Sequence, residues 1–257
     1  MKNALIGYTG FVGSTLSKQT EFESFFRSTN IKDIEGESYD LVICAGAPAQ
    51  KWIANRDPEQ DIKKINNLIS SLKKVNCKTF VLISTVDVFD NPLGVDEDSQ
   101  IDESGLNSYG LHRRHLEKFV QSNFTNHLIV RLPGLVGPGL KKNVIFDFLN
   151  DNNLDSIDSR GVFQFYPMVN LWYDIKIALL NNLKIIHLTS EPVSVSEISS
   201  KCFNKSFTQH LTGKHLIYDF RTKYFNLFKG VKNYQYKKNE SILAIRSYAQ
   251  SESISIK

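Results

Sequence analysis

Three glycines, Gly7, Gly10 and Gly13, stand between an apolar run, Asn3-Ala4-Leu5-Ile6, and a stretch with helical spacing from Phe11 to about Phe22. A strand that turns through glycines straight into a helix has few physical uses. Glycine permits the tight turn, lets the backbone approach a ligand, and lets the helix pack closely on the strand. The N–H groups at the helix start point outward at its positive end, which suits a pyrophosphate. In this strand–turn–helix setting the pattern reads as a dinucleotide site. Gly7, Thr9, Gly10, Phe11, Val12 and Gly13 are its candidate cofactor-binding residues.

The rest of the chain has the rhythm that such a site requires. Buried strands are predicted at 24–27, 40–46, 79–84 and 126–131, and helices at 61–75 and 108–123, from runs of apolar residues and from helical periodicity. Strands alternating with helices imply a parallel sheet covered on both faces. The expected fold class is therefore α/β, a Rossmann-type doubly wound parallel sheet with a small C-terminal substrate-binding subdomain. The expected division is residues 1–137 for the dinucleotide-binding part. Residues 138–257 would be a small substrate-binding portion with elements returning to the sheet. In that second part 143–149 and 171–180 read as helices, and 184–188 as a strand. An extended segment at 192–197 leads into a helix capped by Ser194 or Ser196. The last dozen residues are polar and read as frayed.

Composition narrows the function classes. The net charge of +4 on 257 residues is mild and scattered, which argues against nucleic acid or an anionic membrane as partner. Three widely spaced cysteines give neither a disulfide framework nor a zinc pattern, and no metal site is expected. His112 and His115 have no supporting carboxylates nearby in sequence. No apolar run approaches the roughly 20 residues of a membrane span, so a cytoplasmic protein is expected.

Four further segments carry a resemblance. They are Ile83-Ser84-Thr85-Val86-Asp87-Val88-Phe89-Asp90, Tyr109-Gly110-Leu111-His112-Arg113, Arg131-Leu132-Pro133-Gly134-Leu135-Val136-Gly137-Pro138-Gly139, and Glu191 to Ile198. With the G-x-x-G-x-x-G turn, their order and spacing resemble the extended short-chain dehydrogenase/reductase superfamily, of the NAD-dependent epimerase/dehydratase type. Within it the chain looks most like nucleotide-sugar reductases of the dTDP-4-dehydrorhamnose reductase and GDP-fucose synthase kind. The resemblance implies that Tyr109 exchanges a proton with the substrate oxygen and that Thr85 holds that oxygen. Asn66 would order a relay. The family's lysine, which binds the nicotinamide ribose and lowers the tyrosine pKa, falls on Arg113. Arg113 is at i+4 from Tyr109 and so on one helix face, but its planar guanidinium is not equivalent to an ammonium.

On the cofactor side, an acidic residue after the second strand would bind the ribose 2′-OH of NAD, and none is there. Arg27-Ser28 stands in its place, which suits a 2′-phosphate, so NADP(H) is preferred, with NAD(H) possible. By the same resemblance Asp33 and Ile34 would meet the adenine, Ala45, Gly46 and Ala47 the cofactor's flank, and Ser84, Tyr109, Arg113 and Pro133 the nicotinamide end. Asp87, Val88, Leu135, Lys142, Asn143 and Tyr166 would face a nucleotide-sugar substrate. The implied activity is NADP(H)-dependent reduction of a nucleotide-activated 4-keto sugar with Tyr109 as proton donor. The alternatives are an epimerase that retains NAD and, because of Arg113, a dinucleotide-binding protein with weak or no turnover. A homodimer is a possible assembly.

Overall fold

The computed structural model describes residues 2–252. They form two compact units, and neither is one continuous piece of chain. The first runs to Asp90 and takes in Ser99–Arg131 and Leu171–Ile186; the second takes Asn91–Asp98, Leu132–Asn170 and the chain from His187 onward.

The first unit opens with β1 (Asn3–Ile6), α1 (Phe11–Gln19), β2 (Ser24–Phe26), β3 (Ser38–Cys44), α2 (Lys51–Arg56), α3 (Pro58–Leu72) and β4 (Asn76–Thr85). After the short β5 (Leu93–Val95) of the second unit come α4 (Ser108–Asn123) and β6 (His127–Leu132). Farther on, α6 (Leu171–Leu180) leads into β10 (Ile185–His187). The six-stranded sheet has the order β10-β6-β4-β3-β1-β2. β1 pairs in parallel with β2 on one side and β3 on the other, so the strand order reverses at β1. That reversal puts the crevice for a ligand beyond the carboxyl ends of β1 and β3.

Both faces of the sheet are covered, as its alternation requires. Ala4, Ile6, Val42, Cys44, Phe80 and Leu82 pack with Ile65, Leu68, Ile69 and Leu72 of α3 and Leu116, Phe119 and Val120 of α4. The intervening Leu5, Ile43 and Val81 are fully buried outside that cluster, as is Leu16 of α1. Burial pushes the Cys44 thiol up to about 11, which makes it an inert packing group.

Helix α3 begins earlier than its periodicity suggests. Asp57 caps it by accepting from the Gln60 N–H at 3.1 Å, and Pro58 occupies the first turn. Helix α2 has no counterpart among the predicted elements. Its six residues are too few to show a period.

The second unit holds α5 (Val144–Asn150), β7 (Gly134–Val136), β8 (Val162–Phe163), β9 (Phe165–Pro167), β11 (Val193–Ser194), α7 (Val195–Phe203), β12 (Asp219–Phe220) and α8 (Lys238–Ser251). Its sheets are two-stranded pairs, β7 with β9, β8 with β11 and β5 with β12. Ser194 caps α7 in a reciprocal box with Glu197. The expectation of a frayed C-terminus is corrected up to Ser251. Ile242, Ile245 and Tyr248 form a buried stripe on α8, and apolar burial holds this polar-looking segment as a helix. Residues 253–257 lie outside the described residues. Among the described residues no helix is long and apolar enough to cross a membrane.

Candidate active site

Gly7 ends β1 at φ +84°, a left-handed conformation that favours glycine. A Cβ there would strike the Ala45 carbonyl, and one on Gly13 would strike the Gly7 carbonyl. These two glycines are therefore required by the packing of strand, turn and helix. Gly10 differs. A Cβ on it would meet only the Gly7 oxygen, at 3.4 Å, and Gly10 is exposed with an ordinary φ of −78°. No side chain caps the start of α1. An open, uncapped helix start lined by glycine fits a pyrophosphate. Thr9 is exposed beside it, and Phe11 and Val12 are half-buried in the first turn of α1. Ala45, Gly46 and Ala47 follow β3 and are also half-buried.

Arg27 and Ser28 follow β2 directly and are exposed, with the Arg27 Nε donating to the Thr29 hydroxyl at 2.9 Å. Asp33 is exposed, whereas Ile34 is fully buried against the α3 side of the core. Ile34 is thus a packing residue, and an adenine contact through its side chain is corrected.

At the end of β4, Thr85 and the turn after it meet the first turn of α4. Gly110 makes this approach possible, because a Cβ there would collide with the Asp87 carbonyl. The close approach sets the turn after Thr85 against the first turn of α4, and Thr85 is among the groups that favour tyrosinate at Tyr109. The Thr85 hydroxyl also lies 3.3 Å from Asp87 Oδ2 and accepts from the Asp87 N–H at 3.1 Å. Lys51 Nζ stands 2.6 Å from Asp87 Oδ1. Asn55, one turn along α2 from Lys51, accepts from the Tyr109 N–H at 2.9 Å and ties α2 to α4.

Arg113 is buried and doubly bound. Its guanidinium donates to both Asp61 oxygens, at 2.5 and 3.0 Å, and to the Pro48 carbonyl. It also lies 4.0 Å from the centre of the Tyr109 ring. His112 Nδ1 is 2.7 Å from the same carboxylate, so a carboxylate does stand beside His112. Burial pushes the Asp61 carboxyl up, but the hydrogen bonds from Arg113 and His112 outweigh it and hold the group below its ordinary range. For Tyr109, burial pushes the phenol up more than its neighbours pull it down. Arg113, Thr85 and Lys51 favour tyrosinate, and Asp87 opposes it.

Several expected site residues lie elsewhere. Asn66 is exposed on α3, one position past the core residue Ile65; the buried polar side chain that α3 sends towards α4 is Asp61. The Ser84 hydroxyl donates to Glu117 Oε1 at 2.6 Å, inside an ion-pair network with Arg131 and Arg114, so it serves the core. Arg114 is partly buried in that network. Val88 is fully buried.

Pro133, Leu135, Lys142, Asn143 and Tyr166 belong to the second unit. Asn143 caps α5, accepting from the N–H groups of Ile145 and Phe146 and donating to the Leu135 carbonyl. Its polar atoms are engaged in the fold. Tyr166 is fully buried and packs edge-on to Tyr236. Its neighbour Gln164 bonds Phe220, Thr189 and Ser190 in the same interior. Tyr166 is corrected from a substrate contact to packing. Leu135 is half-buried, Pro133 is buried and Lys142 is exposed.

Lys51, Asn55 and Asp61 were missed by sequence reasoning. Asp57-Pro58 was the signal that could have framed them, because it fixes the start of α3 and so sets α2 apart.

Among solved structures, the chain is similar to a dTDP-4-dehydrorhamnose reductase from Clostridium acetobutylicum, at 17% identity over 97% of this chain and 99% of that one, TM-score 0.76. It is similar to the Bacillus anthracis dTDP-4-dehydrorhamnose reductase in complex with NADP, at 16% identity over 98% and 99%, TM-score 0.74. It is also similar to the Thermotoga maritima UDP-glucose 4-epimerase with UDP-glucose, at 15% identity over 97% and 98%, TM-score 0.70. At these identities the likeness speaks for the fold. No curated protein sequence matches the chain. The model of the NAD dependent epimerase/dehydratase family matches residues 25–157, a segment that starts after the glycine turn and includes Thr85, Tyr109 and Arg113. That segment is just over half of the chain, and the chain belongs to the NAD-dependent epimerase/dehydratase family.

Proposed function

We propose that the chain is an NADP(H)-dependent reductase of a nucleotide-activated 4-keto sugar. The observation that carries this reading is the close packing of the turn after Thr85 on the first turn of α4 at Gly110, which sets Thr85 and the buried Tyr109 at the end of the sheet whose glycine turn fits a dinucleotide. The dinucleotide, when bound, supplies the hydride. Thr85 holds the substrate carbonyl oxygen by a hydrogen bond. Tyr109 gives that oxygen its proton as negative charge develops there. The reductases and the NADP complex among the similar structures support the same reading.

The panel experiment uses the purified chain, NADPH and a set of nucleotide-linked 4-keto sugars. Net oxidation of NADPH is the expected result. Isomerisation without net oxidation supports an epimerase instead. NADPH binding without turnover of any member favours a dinucleotide-binding protein. The observation behind that last reading is the Arg113–Asp61 pair, which takes up the charge that the family directs at the ribose.

Two variants test the cofactor site. Arg27→Ala is expected to reduce the preference for NADPH over NADH roughly tenfold, the effect of losing about 1.4 kcal/mol at the 2′-phosphate. Equal loss for both cofactors by calorimetry counts against it. Gly10→Ala is expected to melt within a few degrees of wild type yet bind NADPH more weakly, because its Cβ enters the open side of the turn. Gly13→Ala should lose thermal stability instead, since its Cβ meets backbone.

A further inference from the structure

We propose that Lys51 is a positioning residue that offsets Asp87, the carboxylate hydrogen-bonded to Thr85 beside Tyr109, and so adds to the positive charge that Arg113 brings to the phenol. The inference rests on the reading of Tyr109 as the proton donor.

Four elements of the first unit present charged or titratable groups to this tyrosine. From its own helix come Arg113 and His112, and from α3 comes Asp61. From the turn after β4 comes Asp87, and from α2 comes Lys51. Arg113 pairs with Asp61 in a buried two-point bond and lies 4.0 Å from the centre of the Tyr109 ring, where it favours tyrosinate. Asp87 bonds Thr85, and its negative charge opposes a tyrosinate beside it. Lys51, at 2.6 Å, is the cation that offsets Asp87.

The placement of Lys51 is built into the fold. It is the first residue of α2, and Asn55 of the same helix holds the Tyr109 N–H. The helix that carries Lys51 is therefore tied to the Tyr109 backbone through the Asn55 side chain, although the two residues are far apart in sequence. Without Lys51, Asp87 would stand unbalanced beside Thr85 and Tyr109. Tyr109 would then be a poorer acid, because the anion left after proton transfer would face a like charge.

The test places a difluorotyrosine at position 109 of the full chain and follows its fluorine resonance against pH. The same variants are assayed for NADPH binding and for turnover. Lys51→Met is expected to move the phenol titration to higher pH and to lower kcat about tenfold near neutral pH, with NADPH affinity unchanged. Lys51→Arg should restore both. Adding Asp87→Asn to Lys51→Met should return the titration most of the way, since the opposing charge is then gone. An unmoved titration in Lys51→Met, or a failure of Lys51→Arg to restore it, overturns the proposal. If the wild type turns over no 4-keto sugar, the reductase reading fails, and the titration still decides the role of Lys51.

Discussion

Glu117→Ala is expected to lower the unfolding free energy by about 3–5 kcal/mol, the cost of leaving a buried cation without its partner. Glu117 is fully buried and Arg131 nearly so. The carboxylate accepts from Arg131 Nε at 3.0 Å and Arg131 Nη2 at 2.9 Å, from Arg114 at 2.9 Å and from the Ser84 hydroxyl at 2.6 Å. Alanine would strip β6 and β4 of this shared acceptor in the interior. Against a typical domain stability of about 5–15 kcal/mol, such a loss leaves a marginal protein. The control is Glu103→Ala. Glu103 also bonds Arg114 and Lys118, but it is one-third exposed, and water and ions screen the pair. It should cost no more than about 1 kcal/mol. Urea unfolding of the two variants checks the contrast. Equal midpoints would show that the buried network contributes nothing beyond a surface pair.

That network shows where sequence reasoning stops. Helix α4 was predicted residue for residue as 108–123, and in the structure Asn107 caps it. The strands of the central sheet were legible from apolar runs, and the glycine turn from its setting after β1. Burial of charge was not legible. Nothing local in the sequence singles out Glu117 or Asp61 on their helices. Each is buried because a cation reaches it from elsewhere: Arg131 from β6, and Arg113 from 52 residues along the chain. No local pattern contains that information.

The candidate site follows the same division. The glycines stand between a strand and a helix, where backbone geometry leaves a mark on the sequence, whereas Thr85 and Tyr109 were placed by their resemblance to the family's motifs. Asn66 was placed by motif position alone, and helical phase puts it in solvent, whereas Asp61 falls on the inner face. Lys51 belongs to a helix too short to show a period. In the second unit, strands of two or three residues carry no alternation to read, and Asn143, Gln164 and Tyr166 are engaged by contacts that only the folded chain creates.

Tyr109→Phe is the substitution that most directly tests the chemistry. It removes one oxygen and keeps the ring, which packs beneath the Arg113 guanidinium at 4.0 Å. The Asp61–Arg113 pair, the Asn55 bond to the backbone and the close contact at Gly110 do not involve that oxygen. The fold and NADPH affinity are therefore expected to hold. Turnover is expected to fall about 10²–10⁴-fold, the usual contribution of a positioned general acid. The loss should lie in kcat, because the proton moves as charge develops on the substrate oxygen and not when the substrate binds. A rate equal to wild type, with NADPH still bound, would mean that the phenol transfers no proton. Tyr109 would then be only the ring on which Arg113 rests, and the Asp61 pair would mark a site that kept its dinucleotide pocket without its acid.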